Sequence, residues 1–399
     1  MDTDRQIRSF VAANEQAITD ALSELIALQT VNPPGTAYRE CVRWFSRFLD
    51  ATGVEYHIHT APNGEFPRPS IVGSYGSGEA GLHFHGHYDV VSAQSPTQFK
   101  AEPREGRLYG RGSSDMKGGI VAMLFAIRAL RECGIRLSRQ ITVTLVPDEE
   151  TGGRLGMRYL AAGGLLPRPA VGALMPEPSS GRIWHACRGA LTLRVRIAGR
   201  STHGALPHLG VNAFEGMVAV MNSLLELKHR VVARRTAVPI EPPEANRSVM
   251  ILGGESGSGV ASNVVPDGAW FSIERRINPE ETLSQVKEEL WEVFDRHRAS
   301  GLELEVETFQ ESDAAMAPAG AHLGAVLAQT VRDVTGADAP SELCPGVLEV
   351  RFFCDRGVPA YGYGPGLLGI SHGPDEYIRL KDLFDCTAIY ALTAARTLA

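Results

Sequence analysis

Residues 81–91 read GLHFHGHYDVV, and residues 106–119 read GRLYGRGSSDMKGG. In the first stretch His83, His85, His87 and Asp89 recur at i, i+2 spacing, so a strand over 81–91 carries all four on one face. In the second, a glycine-rich turn delivers Asp115 to the start of the segment 116–131. That segment is apolar on most faces (Ile120, Val121, Leu124, Phe125, Ile127, Leu130), which predicts a helix buried against a sheet. Strand, turn and buried helix in succession form the unit from which layered α/β folds are built.

The alternation extends outward from this unit. Residues 4–29 predict one amphipathic helix, stopped by Asn32-Pro33-Pro34-Gly35, and a second helix follows over 38–51. Strands are predicted at 71–75, 140–146 and 171–175. Then the order changes to strand 191–197, helix 212–227, strands 248–252 and 270–277, helix 283–298 and strand 302–309. This β-α-β-β-α-β order is that of a ferredoxin-like sandwich. After Asp313 the first pattern resumes, with helix 321–334, a strand near 359–363 and a final helix over 381–394. The fold class is therefore α/β with a mainly parallel central sheet. One α/β domain is split into residues 1–183 and 312–399 by an inserted ferredoxin-like domain at 184–311.

Composition agrees with this size. At ~150 residues per domain, 399 residues predict two or three domains. The 44% hydrophobic and 21% charged fractions are those of a globular chain. With 39 Lys+Arg against 46 Asp+Glu, the net charge of −7 argues against a nucleic-acid binder, which needs a basic stripe. No apolar run reaches the ~18–20 residues of a membrane span, so no membrane partner is expected. The first residues, MDTDRQIRSFVAANEQ, lack an apolar signal core and read as a cytoplasmic start. Six scattered cysteines, without a CxxC pair, read as reduced thiols.

Four ionisable residues on one face of a buried strand are costly unless something binds them, although a single strand histidine is usually a satisfied core residue. Asp115 alone could be a helix N-cap. Strand 140–146 ends in Pro147-Asp148-Glu149-Glu150 and strand 171–175 in Pro176-Glu177-Pro178, at the strand ends where α/β sheets bind ligands. Downstream lie GYGPG at 362–366 and Ser371-His372-Gly373-Pro374-Asp375-Glu376. Oxygen and imidazole donors without thiolate suit Zn²⁺, Co²⁺ or Mn²⁺.

HGHYDVV, GRLYGRGSSDMKGG, PDEETGG, MPEPS and SHGPDEY, in that order and preceded by TVNPPG at 30–35, resemble the signature blocks of the M20 metallopeptidase family. That family includes acetylornithine deacetylase, succinyl-diaminopimelate desuccinylase and glutamate carboxypeptidase. The resemblance implies two divalent metal ions, most simply zinc. His87, Asp115, Glu150, Glu177 and His372 would be ligands, with Asp115 bridging and Asp89 orienting His87. Glu149 would be the general base for a metal-activated water, and His83 and His85 would not be ligands.

By the same resemblance the inserted domain is a lid and dimerisation domain, implying a homodimer. His203, in Ser201-Thr202-His203-Gly204, would support the oxyanion from the partner subunit, with Asn263 and Arg276 contacting substrate. The block Gly346-Val347-Leu348-Glu349-Val350-Arg351 departs from the family's Gly-Thr-Asp-Ala pattern. It makes Glu349 and Arg351 candidate substrate-binding residues, with Arg351 either an anion contact or a surface charge. Glu177, where aminopeptidase members tend to carry Asp, tilts the implied activity toward hydrolysis of the amide bond of a small N-acyl amino acid. A metallo-exopeptidase (carboxypeptidase or dipeptidase) and a non-catalytic metal-binding scaffold are the alternatives.

Overall fold

The computed structural model describes residues 3–62 and 67–399. Contacts divide the chain into two units. One comprises the residues through His185 together with Ala317–Ser341 and Glu349–Ala399; the other comprises Ala186–Met316 and Glu342–Leu348.

The first unit is built on a sheet whose order is Glu55–Thr60, Pro69–Tyr75, Gln140–Val146, Ala80–His87, Gly172–Met175, Ala360–Gly362 and Ile183–Cys187. The four strands from Gln140–Val146 to Ala360–Gly362 pair in parallel. The flanking pairings are antiparallel. The predicted mainly parallel sheet is thus present as a parallel centre with antiparallel edges. Lys117–Glu132 is the buried helix, with Ile120 to Leu130 closed to solvent except for Arg128. The last helix, Leu380–Leu398, is buried over most of its length in the same core. Each fully buried Leu, Ile or Phe here contributes about 1.5–3 kcal/mol.

Several local expectations change. The helix read over 4–29 is two helices, Thr3–Ala13 and Glu15–Ala27. The break falls at Asn14, whose side-chain amide donates to Phe10 O at 2.8 Å, a local bond that competes with the helical ladder. The strand read to Val91 stops at His87. Glu55–Thr60, an exposed edge strand with little apolar alternation to reveal it, was not predicted. A further small sheet, also unpredicted, pairs Tyr377–Arg379 with Arg107–Tyr109 and that strand with Glu102–Arg104.

The second unit is an antiparallel four-stranded sheet in the order Val249–Ser258, Gly268–Ile277, Gly189–Ala198, Leu304–Ser312. Helices Ala213–Val231 and Leu283–Ala299 pack on it around a separate core that includes Leu193, Leu224, Phe271 and Phe294. Order and connection match the predicted ferredoxin-like sandwich. Asn212 caps the first helix by accepting from the N–H groups of Phe214 and Glu215.

Candidate metal centre

Every proposed ligand in the first unit comes from the C-terminal side of a parallel strand or from the turn before the buried helix. His87 ends its strand, Glu149 and Glu150 follow Val146 in a short 3-10 turn, and Glu177 follows Met175. His372 lies in the segment after Ala360–Gly362. Two glycines permit the approach of these segments. A Cβ on Gly119 would stand 2.1 Å from Pro176 O, and one on Gly364 would stand 2.4 Å from Glu177 O. Asp115 does not cap the helix, whose N-cap is Met116; its carboxylate turns to the histidines instead.

Two donor clusters share Asp115. His87, Asp115 and Glu177 form one; Asp115, Glu150 and His372 form the other, and in each the candidate ligand atoms lie within 4.8 Å of one another. His87 Nε2 is 3.2 Å from Asp115 Oδ1, while His372 Nε2 is 3.1 Å from Glu150 Oε1 and 3.4 Å from Asp115 Oδ2. The His372 side chain is 49% exposed, so this cluster opens to solvent. One carboxylate therefore faces both imidazoles through different oxygens.

Asp89, fully buried, links the clusters from behind. Its Oδ1 is 3.3 Å from His87 Nδ1 and accepts the Glu149 N–H at 3.2 Å. Its Oδ2 accepts the Glu150 N–H at 3.2 Å and the Asn32 side-chain amide at 2.9 Å. Arg68 in turn donates to Asn32 Oδ1 at 2.9 Å. His87 Nδ1 also lies 3.2 Å from the Asp89 main-chain carbonyl oxygen, so Asp89 holds Nδ1 with two groups and His87 presents Nε2 to the donor cluster.

His83 and His85 are committed elsewhere. His83 bonds Thr142 Oγ1 at 2.8 Å and Thr144 Oγ1 at 3.0 Å. His85 bonds Thr144 Oγ1 at 2.6 Å and Glu349 Oε2 at 2.6 Å. Neither belongs to a donor cluster among the described residues. Glu349 is buried against His85. Arg351 is buried too, its guanidinium 4.4 Å from the centre of the Phe352 ring, so the surface-charge reading of Arg351 is corrected. In the second unit His203 and Asn263 are exposed on neighbouring loops, with the Gly204 N–H donating to Asn263 O at 2.8 Å. Arg276 is half-buried and ion-paired with Glu274 at 2.7 Å, while Arg275 is buried and paired with Glu281.

Three contributors were not singled out from sequence. Asn32 enters the sequence reading only as part of a helix stop, and Arg111 and Glu376 only as members of their blocks. The signal for all three is their position inside the TVNPPG, GRLYGRGSSDMKGG and SHGPDEY blocks.

Electrostatics tests whether these residues suit cations. Burial pushes the carboxyls of Glu149 and Glu150 up, and raises that of Glu177 to about 8. Mutual repulsion among these acids adds to the effect. Burial opposes protonation of His87, but Asp115 and Asp89 hold it well above its usual value. Hydrogen bonds to Asp115 and Glu150 lift His372 to about 10. Burial also opposes ionisation of Asp115, yet His372 and His87 hold its carboxyl far below the usual range. So many buried anions around two imidazoles are strained without positive charge between them. The oxygen and nitrogen donor set fits divalent cations.

A family model for Peptidase family M20/M25/M40 matches residues 83–396. Acetylornithine deacetylase of Myxococcus xanthus is 27% identical over 395 residues, covering 95% of this chain and 97% of that protein. A probable succinyl-diaminopimelate desuccinylase of Staphylococcus epidermidis is 27% identical over 341 residues, covering 79% and 83%. The solved structure of an M20 family metallo-carboxypeptidase from Sulfolobus solfataricus superposes with a TM-score of 0.78 at 16% identity, covering 94% and 97%, a likeness of fold. Motif order, strand-end geometry and the match along most of the chain converge: the protein belongs to peptidase family M20/M25/M40 and is a hydrolase of amide bonds.

Proposed function

We infer that the protein is a di-metal amidohydrolase that releases the acyl group of a small N-acyl amino acid, of deacetylase or desuccinylase type. The observation that carries this is the pair of donor clusters sharing Asp115, with Glu149 beside them on the Asp89-anchored turn. His87, Asp115 and Glu177 would hold one ion, and Asp115, Glu150 and His372 the other; zinc is the simplest occupant, with cobalt or manganese as substitutes. Such ions, when bound, polarise an amide carbonyl and acidify a water.

Glu149 takes the water's proton and delivers it to the leaving amine nitrogen. Its buried, anion-rich surroundings raise its proton affinity, which suits both transfers. Asp89 fixes Glu149 through its backbone N–H and keeps His87 in one tautomer. From the second unit of one protomer His203 donates to the oxyanion developing in its partner, Asn263 contacts substrate, and Arg276 exchanges Glu274 for a substrate carboxylate. A planar guanidinium suits that exchange. Glu349 and Arg351 shape the pocket through His85 and the segment around Phe352.

The second unit serves as lid and dimerisation domain. Phe214, Val218 and Leu225 lie exposed on one helix face, and Ile251 is exposed on the edge strand Val249–Ser258. A homodimer through this apolar surface is the reading it supports. Six free thiols accord with a cytoplasmic protein. Among the described residues no helix is long and apolar enough to cross a membrane.

The test is a turnover panel of N-acetyl and N-succinyl amino acids beside dipeptides, with added Zn²⁺, Co²⁺ or Mn²⁺. Preference for the acyl compounds supports the proposal, and preference for dipeptides replaces it with an exopeptidase. No turnover with any substrate, despite normal metal uptake, leaves a scaffold. Glu149→Ala is expected to bind metal normally and lose about 10²–10⁴-fold in turnover. Near wild-type turnover would remove Glu149 from the role of base.

A further inference from the structure

A buried ion pair beside the metal centre takes no part in the steps above. Arg111 and Glu376 are each 1% exposed, and Arg111 Nη1 donates to Glu376 Oε2 at 2.5 Å. The other carboxylate oxygen, Glu376 Oε1, accepts the backbone N–H groups of Ser114 at 3.0 Å and Asp115 at 3.2 Å. Arg111 Nη2 donates to the carbonyls of His372 at 3.1 Å and Ser92 at 3.3 Å. One ion pair therefore grips the backbones of two donors of the same cluster, Asp115 and His372.

The pairing of Tyr377–Arg379 with Arg107–Tyr109 brings these distant segments together, and the Gly110 N–H donates to Glu376 O at 3.0 Å. His372 itself sits at φ +66°, a left-handed conformation uncommon outside glycine, though histidine adopts it more readily than most residues. The hydrogen bond from Arg111 to the His372 carbonyl helps to hold it there. A buried ion pair is weak as a source of stability, since apolar residues of similar volume often pack as well. Apolar residues would leave the Asp115 N–H and the His372 carbonyl without these partners.

We propose that Arg111 and Glu376 are positioning residues that set the placement of Asp115 and His372, and thereby the cation affinity of the two clusters to which those donors belong. This rests on the metal-centre reading above. Arg111 bonds the second cluster directly at the His372 carbonyl and touches Asp115 only through Glu376, a charge pairing that lysine retains. Glu376 holds the backbone of Asp115, which both clusters share.

The experiment is calorimetric titration of the metal-free full-length protein with Co²⁺, with thermal melts of the same metal-free samples. Arg111→Lys keeps the charge but lacks the planar fork that serves Glu376 and two carbonyls together. It is expected to weaken one equivalent ten- to a hundredfold and leave the other unchanged. Glu376→Gln, similar in size but uncharged, is expected to weaken both equivalents. If wild type takes up fewer than two equivalents, the metal-centre reading itself fails. Two equivalents in wild type, with both variants unchanged, overturn the positioning role alone. Equal weakening of both equivalents in Arg111→Lys also overturns it, because it indicates a general loss of structure. Should Arg111→Lys fail to fold, Glu376→Gln decides: weakening of both equivalents with a metal-free melt like that of wild type supports the proposal, and any other result refutes it.

Discussion

Replacing Asp89 with asparagine changes no volume and tests how the centre is oriented. In the native protein the carboxylate meets four donors: the N–H groups of Glu149 and Glu150, the Asn32 amide and His87 Nδ1. Asparagine offers one acceptor oxygen and one NH₂ donor. With its oxygen toward Glu149 and His87, its NH₂ opposes the Asn32 amide and the Glu150 N–H. With its oxygen toward Asn32 and Glu150, the NH₂ faces the Glu149 N–H and His87 Nδ1. This second arrangement opposes the Glu149 N–H and also His87 Nδ1, which keeps its proton toward the Asp89 main-chain carbonyl at 3.2 Å.

Each buried donor left without an acceptor costs about 1–3 kcal/mol, and charge-assisted bonds are lost besides. Asp89→Asn should therefore cost roughly 2–4 kcal/mol of stability. The main-chain carbonyl of residue 89 still accepts from His87 Nδ1 in the variant, so what is lost is the carboxylate charge beside the imidazole. A ten- to hundredfold loss in affinity of the equivalent bound by His87, about 1.4–2.7 kcal/mol, is expected. Calorimetric titration with Zn²⁺ reads the affinity and urea denaturation of the metal-free protein reads the stability. Wild-type affinity for both equivalents in a folded Asn variant would refute the claim that the Asp89 carboxylate strengthens His87 as a ligand.

Three other outcomes are expected. Gly119→Ala should gain about 1 kcal/mol of helix propensity. However, its Cβ would stand 2.1 Å from the Pro176 carbonyl oxygen, so net destabilisation of about 1–3 kcal/mol is expected, read by urea denaturation. Metal uptake should release protons at pH 7–8. His372, held protonated to about pH 10, and His87, also raised, must become neutral to ligate, so affinity should rise with pH through that range. Titration in buffers of different ionisation enthalpy counts the protons, and buffer-independent heats would refute the assignment. Finally, charging the exposed helix face with Phe214→Glu and Val218→Glu should convert a dimer to monomers by light scattering, with the separate core around Leu224 and Phe271 intact by melting.

Periodic features were legible because they need no partner to be recognised. The ferredoxin-like order of the second unit and the buried helix Lys117–Glu132 both follow from local apolar spacing. The edge strand Glu55–Thr60 has no such spacing, and it forms because Pro69–Tyr75 offers a ladder to pair with. Asn14 breaks a continuous apolar pattern through a single side-chain bond, which periodicity does not register. Arg111 and Glu376 lie in separate blocks with nothing local to couple them, and only the small sheet joining Arg107–Tyr109 to Tyr377–Arg379 does so.

Sequence alone determined the split α/β architecture, since strand alternation is a property of short windows, and the resemblance to the M20 blocks implied the set of acidic and imidazole groups, His87 among them. Strand register decided which histidine is available. His83 stands opposite Thr142 and His85 opposite Thr144, whose hydroxyls engage both rings. His87 stands opposite Val146, which has no hydroxyl to offer, so its ring is left to Asp89 and Asp115. Three histidines equivalent by spacing are thus separated by what the neighbouring strand places beside them, a pairing that no window of local sequence contains.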